Sequence, residues 1–341
     1  MARSAIVLGG TAGVGHAVVE ALLDRGYRVG VVARGEARLA EMQRRFSTRV
    51  ATRSADVADS EAVDRVAAEL VDEIGRPEVW VNSAMITSFS PFSKVGADEF
   101  ERIVDVTFLG QVNGTRAALR HMDRGRIVCI GSGLSYRSVP YQAAYCAAKH
   151  AINGFVGAVR TELLHDGSAV DISLVQLPAV NTPQFDWAKN RMSRKPQPAP
   201  PIFAPEVAAD AVMKVIDEGL REVLVGSSVM KLTFGQFVLP AYMDRALADA
   251  GVDAQKSDSP DNLPGDNMWS PVEYPARAEG SYSARASHRG VTMDADLARK
   301  LVFFGVPAAA LALGVMLGRS TRPSGQGGRR LPRRGGFPRL R

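Results

Sequence analysis

Short apolar runs alternate with helical patterns along the first half of the chain. Residues 14–23 and 60–74 carry apolar side chains at helical spacing, and the second of these segments is clearly amphipathic. The runs between and after the helical patterns are short, apolar and often β-branched, which is typical of buried strands. The predicted strands are residues 5–8, 29–33, 79–81, 127–130, 172–177 and 222–225.

Strands that alternate with helices of this length predict βαβ units and a parallel sheet with helices on both faces. No internal repeat is visible in the sequence. We therefore expect a doubly wound, Rossmann-like α/β fold that forms a single domain over residues 1–250. In such a fold, ligands bind outside the carboxyl ends of the strands, near the point where the strand order reverses.

The pattern changes after residue 250. Residues 251–297 are polar and contain prolines without clear periodicity, which predicts a linker or extension, free or wrapped on the domain. Residues 301–318 read LVFFGVPAAALALGVMLG and carry no charge. As a helix this run is about 27 Å long, just short of the roughly 30 Å hydrocarbon core of a bilayer. Residues 298–318 are therefore a candidate membrane segment, and residues 319–341 a disordered, arginine-rich tail.

Charge and cysteine content narrow the class of protein. The net charge is +6, but the part after Gly318 holds eight arginines and no acid, which leaves −2 on the rest of the chain. A net charge of −2 on the rest of the chain gives no reason to expect a nucleic-acid partner. The two cysteines, Cys129 and Cys146, imply no disulfide framework and favour a reducing compartment. No metal site is predicted.

The apolar run near the C-terminus has two interpretations. It is either a buried helix that closes the domain or an oligomer, or a membrane attachment. Its apolar character on all faces favours the membrane. The N-terminus shows no signal peptide, so we expect a cytoplasmic domain, but the arginine-rich side should also stay cytoplasmic. Monotopic or re-entrant insertion, with the arginines on anionic lipid, satisfies both constraints.

The turn LGGTAGVG follows the first predicted strand and opens the first predicted helix. Glycines allow the backbone to turn tightly and approach a pyrophosphate, while the helix offers free N–H groups and the positive end of its dipole. Alone, such a turn is weak evidence, but the strand–turn–helix context is the one that dinucleotide binding requires. The predicted cofactor contacts in this turn are Gly9, Thr11, Gly13, Val14 and Gly15.

The second predicted strand indicates which dinucleotide binds. It ends in Val32, Ala33 and Arg34, where an acid would accept hydrogen bonds from the adenosine ribose of NAD. A guanidinium at Arg34, with Arg38 one helical turn later, favours the 2′-phosphate of NADP instead. NAD is therefore the less favoured cofactor. The alternative interpretation of Arg34 is that its side chain simply lies on a solvated face. Asp56 and Val57 are expected beside the adenine.

Several motifs, in this order and spacing, resemble the short-chain dehydrogenase/reductase family over about residues 4–245. They are the glycine-rich turn, Asp56-Val57, NSAM at 82–85, Ser132, Tyr145-x-x-x-Lys149 and the stretch that ends at Thr182. Ser132 lies 13 residues before Tyr145, which is the usual separation in the family. The resemblance implies that Tyr145 exchanges a proton with the substrate oxygen, Ser132 hydrogen-bonds that oxygen and Lys149 holds the nicotinamide ribose. It also implies cofactor contacts at Asn82, Ala84, Val180 and Thr182.

A tyrosine with its ordinary pKa near 10 is a slow proton shuttle at neutral pH. Lowering that pKa to about 7 requires about 4 kcal/mol of preferential stabilisation of the phenolate. One helical turn places the Lys149 ammonium on the face of Tyr145, and an oxidised nicotinamide adds a second positive charge. We therefore expect a lowered pKa for Tyr145. Hydride transfer itself belongs to the cofactor.

Four departures from the family pattern stand near these motifs. Leu8 replaces a usual threonine, Met85 replaces the glycine of Asn-Asn-Ala-Gly, and Leu177-Pro178 replaces a usual Pro-Gly. Thr107 occupies the position of a frequent catalytic asparagine. It is retained as a catalytic candidate because its hydroxyl is able to hold a water. The departures leave Ser132, Tyr145 and Lys149 intact.

These observations predict an oxidoreductase that transfers a hydride between NADP(H) and a carbonyl or secondary alcohol. The alternative is a catalytically idle NADP(H)-binding sensor or scaffold that retains the fold. Residues 185–203, where the family places its substrate lid, carry Trp187, Met192, Ile202 and Phe203. They predict an apolar, lipid-like or polycyclic substrate, unless they merely pack the lid onto the domain. A homo-oligomer is also expected.

Overall fold

A mostly parallel sheet forms the centre of the protein in a computed structural model that describes residues 3–261 and 265–320. The strands are β1 Ser4–Leu8, β2 Arg28–Ala33, β3 Val50–Ser54, β4 Val79–Asn82, β5 Ser88–Phe89, β6 Gly125–Ser132, β7 Val170–Leu177, β8 Lys189–Asn190, β9 Glu222–Val225 and β10 Thr292–Asp294. The sheet has the order β10-β9-β7-β6-β4-β1-β2-β3, and among these strands only β10 runs antiparallel to its neighbour. Strands β5 and β8 form a separate parallel pair.

The helices follow the strands in the alternation that the sequence predicts. They are α1 Gly13–Asp24, α2 Glu36–Phe46, α3 Ser60–Ile74, α4 Ala97–Val104, α5 Gly110–His121, α6 Ala143–His165, α7 Gln184–Trp187, α8 Pro205–Glu218, α9 Gly226–Val238, α10 Pro240–Asp253, α11 Ala295–Lys300 and α12 Val306–Ser320. A π-helical turn, Asp105–Leu109, joins α4 to α5, and a second, Leu301–Gly305, joins α11 to α12. The predicted doubly wound α/β fold is confirmed.

Two hydrophobic layers cover the two faces of the sheet, because successive side chains of a strand point to opposite faces. In β1, Ala5 and Val7 pack with α1, α2 and α8, whereas Ile6 and Leu8 pack with α3, α5 and α6. All four side chains are at most 1% exposed. This burial on both faces explains why the parallel strands read as continuous apolar runs and not as alternating ones.

The strand order reverses between β4 and β2, with β1 between them. The glycine-rich turn leaves β1 at this point, and its Gly9 amide donates to the Val32 carbonyl at the end of β2 (2.7 Å). The Ser83 amide, at the end of β4, donates to the Leu8 carbonyl (3.0 Å). The carboxyl ends of three strands therefore meet around one opening, where a ligand is expected in this class of sheet.

The extension after residue 250 packs on the body of the domain. We call residues 265–287 the strap; it crosses the carboxyl-end opening of the sheet. Beyond the strap, β10 pairs with β9 and covers the edge of the sheet. Met268 is fully buried, and Ala276 and Ala278 are less than 10% exposed. Of the two expectations for this stretch, a free linker or a wrapped extension, the structure shows the wrapped one.

Contact clustering separates the chain into two compact units, Met1–Asp296 and Leu297–Arg341. Within the described residues, Ala295–Leu317 is one continuous helical segment that is long and apolar enough to cross a membrane, by length and composition alone. Its most apolar window has a mean hydropathy of 2.0. Most of the predicted arginine-rich tail, residues 321–341, lies outside the described residues.

Candidate active site

A large cavity of about 630 Å³ opens at the carboxyl ends of β1, β4, β6 and β7. Its volume falls in the range of small-molecule and cofactor sites. It extends from the end of β2 across the glycine-rich turn to the N-terminal part of α6. Thirteen of the predicted site residues line it: Gly9, Thr11, Gly13, Val14, Arg34, Asp56, Val57, Ala84, Ser132, Tyr145, Lys149, Val180 and Thr182.

The structure does not bring the remaining three predicted residues into the cavity wall. Gly15 lies one turn inside α1. The Asn82 side chain accepts a hydrogen bond from Trp80 Nε1 (3.0 Å) and donates to Thr115 Oγ1 (3.1 Å), so it ties β4 to α5. Thr107 is fully buried, and its hydroxyl donates to the Ile86 carbonyl (2.9 Å) and accepts from the Ile86 amide (3.1 Å). The hydrogen bonds of Asn82 and Thr107 are thus directed at the protein itself.

The glycine-rich turn fits a dinucleotide phosphate. Gly9 has φ +82°, and a Cβ at this position would lie 2.7 Å from backbone atoms of Ala84, so only glycine permits this approach. The His16 amide donates to the Ala12 carbonyl (3.3 Å). The amides of Val14 and Gly15 come before this first helical hydrogen bond and belong to the positive end of the helix dipole. This arrangement suits a phosphate group.

Ser132, Tyr145 and Lys149 meet at the other end of the cavity. Ser132 ends β6, and Tyr145 and Lys149 lie one turn apart near the start of α6. The Lys149 ammonium lies 5.5 Å from the centre of the Tyr145 ring and donates to the Ile130 carbonyl (2.7 Å). Lys149 is only 1% exposed. The three predicted catalytic side chains are therefore gathered around one point of the cavity.

Burial dominates the electrostatics of this group. It raises the pKa of Tyr145 above its usual value, with a smaller rise from Cys146, and a hydrogen bond with the Ser132 side chain opposes this. Burial lowers the pKa of Lys149 to about 7. The protein's own groups therefore raise the pKa of Tyr145 and do not produce the expected lowering. A buried phenol loses hydration in its charged form, and a lysine near neutrality contributes little compensating charge.

A hydrogen-bonded network behind Ser132 fixes its position. The Ser132 amide donates to Gln176 Oε1 (2.9 Å), and the Ser132 hydroxyl accepts from the Leu134 amide (3.1 Å). Gln176 Nε2 donates in turn to Asn153 Oδ1 (2.9 Å) and to Glu222 Oε1 (2.9 Å). Because this network satisfies the backbone around Ser132 from behind, it holds the hydroxyl in the cavity wall.

Arginines concentrate at the opposite end, after β2. Arg34 lies 3.9 Å from Asp56, and Arg102 forms a closer ion pair with the same carboxylate. Arg38 lies over the ring of Trp187 from α7, with its guanidinium carbon 5.0 Å from the ring centre. Its Nε and Nη1 atoms are buried, and none of the described residues accepts a hydrogen bond from them. This end of the cavity is therefore positively charged.

The strap borders the cavity at Asn267 and contacts the elements around the glycine-rich turn. The carbonyl of Arg277 accepts from the Gly13 amide (3.0 Å), so the strap contacts the glycine-rich turn directly. The Tyr282 amide donates to Asn181 Oδ1 (2.9 Å), beside Thr182. Tyr274 packs edge-on against Trp187, with ring centres 4.9 Å apart. The strap thus joins both ends of the cavity to the helix α7.

The predicted lid segment divides into two parts. Phe185 and Trp187 line the cavity, whereas Met192, Ile202 and Phe203 are buried in the protein. The segment is fixed by Glu99, which receives two hydrogen bonds from Arg191 (2.6 and 2.9 Å) and pairs with Lys189 (2.8 Å). Arg191, aided by Lys189, holds the pKa of the Glu99 carboxyl at about 2. Met192, Ile202 and Phe203 therefore pack the lid onto the domain, and the apolar substrate stays a prediction.

Sequence reasoning missed several residues of the site. Gln111 donates to the Ile130 carbonyl that Lys149 also uses (3.0 Å), and its buried Oε1 has no partner among the described residues. Asn267 of the strap lines the cavity from a stretch without any periodic pattern. The signal for Gln111 was its position, one turn after Thr107 at the start of α5. Asn267 had no such signal.

Comparison with known proteins agrees with this geometry. The sequence profile of the family described as short chain dehydrogenase matches residues 3–192. The uncharacterized oxidoreductase YxnA of Bacillus subtilis is 26% identical over 265 residues, which cover 75% of this chain and 74% of that protein. A 3-dehydrosphinganine reductase, TSC10A of Arabidopsis thaliana, is 27% identical over 265 residues, which cover 75% and 76% of the two chains.

Solved structures share the fold. A short chain dehydrogenase from Burkholderia cenocepacia, crystallised in complex with NADP, has a TM-score of 0.61 at 25% identity. The match covers 72% of this chain and 97% of that one. The similarity therefore extends over nearly the whole of that protein and over about three quarters of this chain.

Proposed function

The chain belongs to the short-chain dehydrogenase family, and on this basis we propose an NADP(H)-dependent oxidoreductase with Tyr145, Ser132 and Lys149 as its catalytic residues. Family membership makes the protein an oxidoreductase that acts on CH–OH or C=O groups with a nicotinamide cofactor. The observation that carries the proposal is the meeting of these three side chains in the wall of one cavity with the glycine-rich turn.

In the proposed reduction, Tyr145 donates its proton to the substrate carbonyl oxygen, and in the oxidation it accepts the proton from the alcohol. Ser132 donates a hydrogen bond to the same oxygen and thereby orients it. Lys149 binds the nicotinamide ribose, and it favours the phenolate of Tyr145 only to the extent that its amine is protonated. When bound, the nicotinamide supplies or accepts the hydride. The protein's share is to position the oxygen and to move the proton.

The choice of NADP rests on the charge of the nucleotide end. Arg34 and Arg38 both line the cavity where the adenosine would lie, and the positive charge of this end suits a dianionic 2′-phosphate. The similar structure from Burkholderia cenocepacia binds NADP, which favours the same choice. Asp56 is held by Arg102 and Arg34, so it remains beside the adenine position as an ion pair.

An apolar substrate is proposed for the remaining part of the cavity. Phe89, Val139, Phe185 and Leu232 line it close to Tyr145. 3-Dehydrosphinganine, the substrate in the name of the relative from Arabidopsis thaliana, is a lipid ketone. We therefore expect lipid-like or polycyclic carbonyl compounds to react faster than short hydrophilic aldehydes in the presence of NADPH.

The experiment that tests this function follows NADPH oxidation with a panel of long-chain, steroid-like and short carbonyl compounds. Tyr145→Phe should lower turnover about 10²- to 10⁴-fold, since it removes general acid–base catalysis, while NADPH still binds. If NADPH binds but Tyr145→Phe leaves every detected turnover unchanged, the mechanism is wrong. Tight NADPH binding without any turnover in the wild type would favour the idle sensor instead.

Membrane attachment through residues 301–318 is the proposed localisation of a cytoplasmic catalytic domain. The apolar helical segment Ala295–Leu317 supports it. Fractionation of the full chain should place it with membranes, and a truncation ending at Lys300 should be released. Equal partition of both into the soluble fraction at physiological salt would contradict the attachment. The proposed homo-oligomer is tested by light scattering on the same truncation.

A further inference from the structure

Two arginines stand at the nucleotide end of the cavity, and their surroundings differ. Arg34 ends the β2 region, and Arg38 lies one turn later on α2. Position in the sequence alone favours Arg34 as the phosphate ligand, because it comes directly after the strand. The contacts of the two guanidinium groups lead to a different assignment.

The Arg34 guanidinium is already occupied by the strap. Its Nη2 donates to the Asn267 carbonyl (2.6 Å), and its Nη1 donates to the Trp269 carbonyl (3.3 Å) and weakly to the Met268 carbonyl (3.4 Å). At this point the Asn267 amide donates to the Trp187 carbonyl of α7 (3.1 Å), and Arg102 Nε also donates to the Met268 carbonyl (3.2 Å). The Arg34 hydrogen bonds satisfy the carbonyls of Asn267 and Trp269. Arg34 therefore fastens the strap to the end of β2.

The Arg38 guanidinium has the opposite character. It lines the cavity, and its Nε and Nη1 atoms are buried without an acceptor among the described residues. Its guanidinium carbon lies 5.0 Å from the centre of the Trp187 ring, which fixes the plane of the group and accepts no hydrogen bond along that plane. Arg38 thus presents a pair of directed, unused donors at the edge of a cavity.

Buried donors of this kind are costly unless a partner is present. Burial lowers the pKa of Arg38, and the charge of nearby Arg34 lowers it further. A guanidinium nevertheless stays protonated, so the position carries a positive charge, which nearby Glu41 offsets by less than Arg34 adds to it. A phosphate dianion accepts charge-assisted hydrogen bonds from a guanidinium, and these are stronger than hydrogen bonds between neutral groups.

We propose that Arg38 binds the 2′-phosphate of NADP(H), and that Arg34 fastens the strap over the bound nucleotide. The assignment rests on the proposed use of NADP(H). The two arginines then have separate functions. Arg38 selects NADP(H) over NAD(H), whereas Arg34 contributes equally to the binding of both dinucleotides. The strap then belongs to the cofactor site, because its displacement opens the nucleotide half of the cavity.

The test compares Arg38→Met, Arg34→Met and Arg44→Met by titration of the purified full chain with NADPH and with NADH. Methionine keeps the apolar stem and removes the charge. Arg44 is an exposed arginine on the same helix and serves as the matched control. Arg38→Met should raise the dissociation constant of NADPH about ten- to a hundred-fold and leave that of NADH within about two-fold.

Arg34→Met should raise both dissociation constants by a similar factor, about three- to ten-fold. It should also speed amide hydrogen exchange within residues 265–287, whereas Arg38→Met should not. Arg44→Met should change neither quantity. This second readout does not depend on activity and reports the strap directly.

A selective loss of NADPH in Arg34→Met, with NADH binding and strap exchange unchanged, would overturn the assignment. So would an Arg38→Met variant that binds NADPH as tightly as the wild type. A wild type that binds NADH as tightly as NADPH would instead overturn the proposed cofactor. Failure of the proposed cofactor is distinguishable from failure of the arginine assignment, because it appears in the wild type before any variant is made.

Discussion

The body of the domain and the strap satisfy their backbone hydrogen bonds in different ways. In the body, β1 pairs with β2 and β4 residue by residue, and the helices bond within themselves. In the strap, the carbonyl of Arg277 accepts from Gly13, and the amide of Ala276 donates to Glu41 Oε2 (2.9 Å). Its backbone partners are therefore single groups of the body, spread over distant parts of the chain.

This difference has consequences for stability and dynamics. An interior strand of the central sheet cannot leave without breaking ladders on both sides, whereas the strap is able to detach by losing separate contacts. Regions with few regular hydrogen bonds open at a lower free energy than the global unfolding. We therefore expect the strap to open while the body stays folded, and the nucleotide to exchange through that opening.

The largest expected effect comes from a matched pair of glycine substitutions. Gly9→Ala should cost about 2–4 kcal/mol of unfolding free energy, because φ is +82° and the added Cβ meets the Ala84 backbone. Gly280→Ala should push the strap away from the Thr182 carbonyl, which its Cβ would meet, and leave the body folded. Denaturant unfolding and hydrogen exchange measure the two effects. Equal global destabilisation by both variants would show that strap and body unfold as one unit.

The same difference explains what could be predicted. The strands and the helix over residues 60–74 follow from periodicity, because burial against a sheet imposes a local pattern. The cluster of Ser132, Tyr145 and Lys149 follows from spacing, because one helix and one strand end carry it. The strap at Asn267 and Met268 could not be predicted, since its contacts depend on side chains more than a hundred residues away.

Within the body, electrostatics escaped prediction where burial decided it. The helical spacing predicts that Lys149, together with an oxidised nicotinamide, lowers the pKa of the Tyr145 phenol, but spacing carries no information on hydration. Thr107 occupies the position of a frequent catalytic asparagine in the family pattern, but its hydroxyl donates a hydrogen bond to the Ile86 carbonyl. Gln111 Oε1 is buried and has no hydrogen-bond partner among the described residues. The sequence could not predict this, because it depends on how α5 packs against β6.

Lys149 allows a second test of the difference between the body and the strap, because it is a buried titratable group in the body. Its pKa is about 7 in the folded protein and about 10.4 in an unfolded chain. Between these values the unfolded state binds more protons, so stability should rise with pH by up to about 1.4 kcal/mol per unit. Lys149→Met should remove this rise between pH 7 and 8.5.

Urea unfolding of both proteins at several pH values checks this expectation. Cys129 and Cys146 are present in both, so the difference between the two curves reports Lys149 together with its effect on the pKa of Cys129. Parallel curves would mean that the ammonium keeps an ordinary pKa in the folded protein. The strap variant Gly280→Ala should retain the wild-type slope, because Lys149 lies in the body.

The smallest expected effect tests whether strap and body are energetically separate. Gly154 in α6 and Gly265 in the strap both have open space where a Cβ would be added. Gly154→Ala should raise the global free energy of unfolding by about 0.5–1 kcal/mol, because alanine favours the helix. Gly265→Ala should change it by less than about 0.5 kcal/mol, since the strap opens before the body unfolds. Equal stabilisation by both would contradict that order and make the strap part of a single cooperative unit.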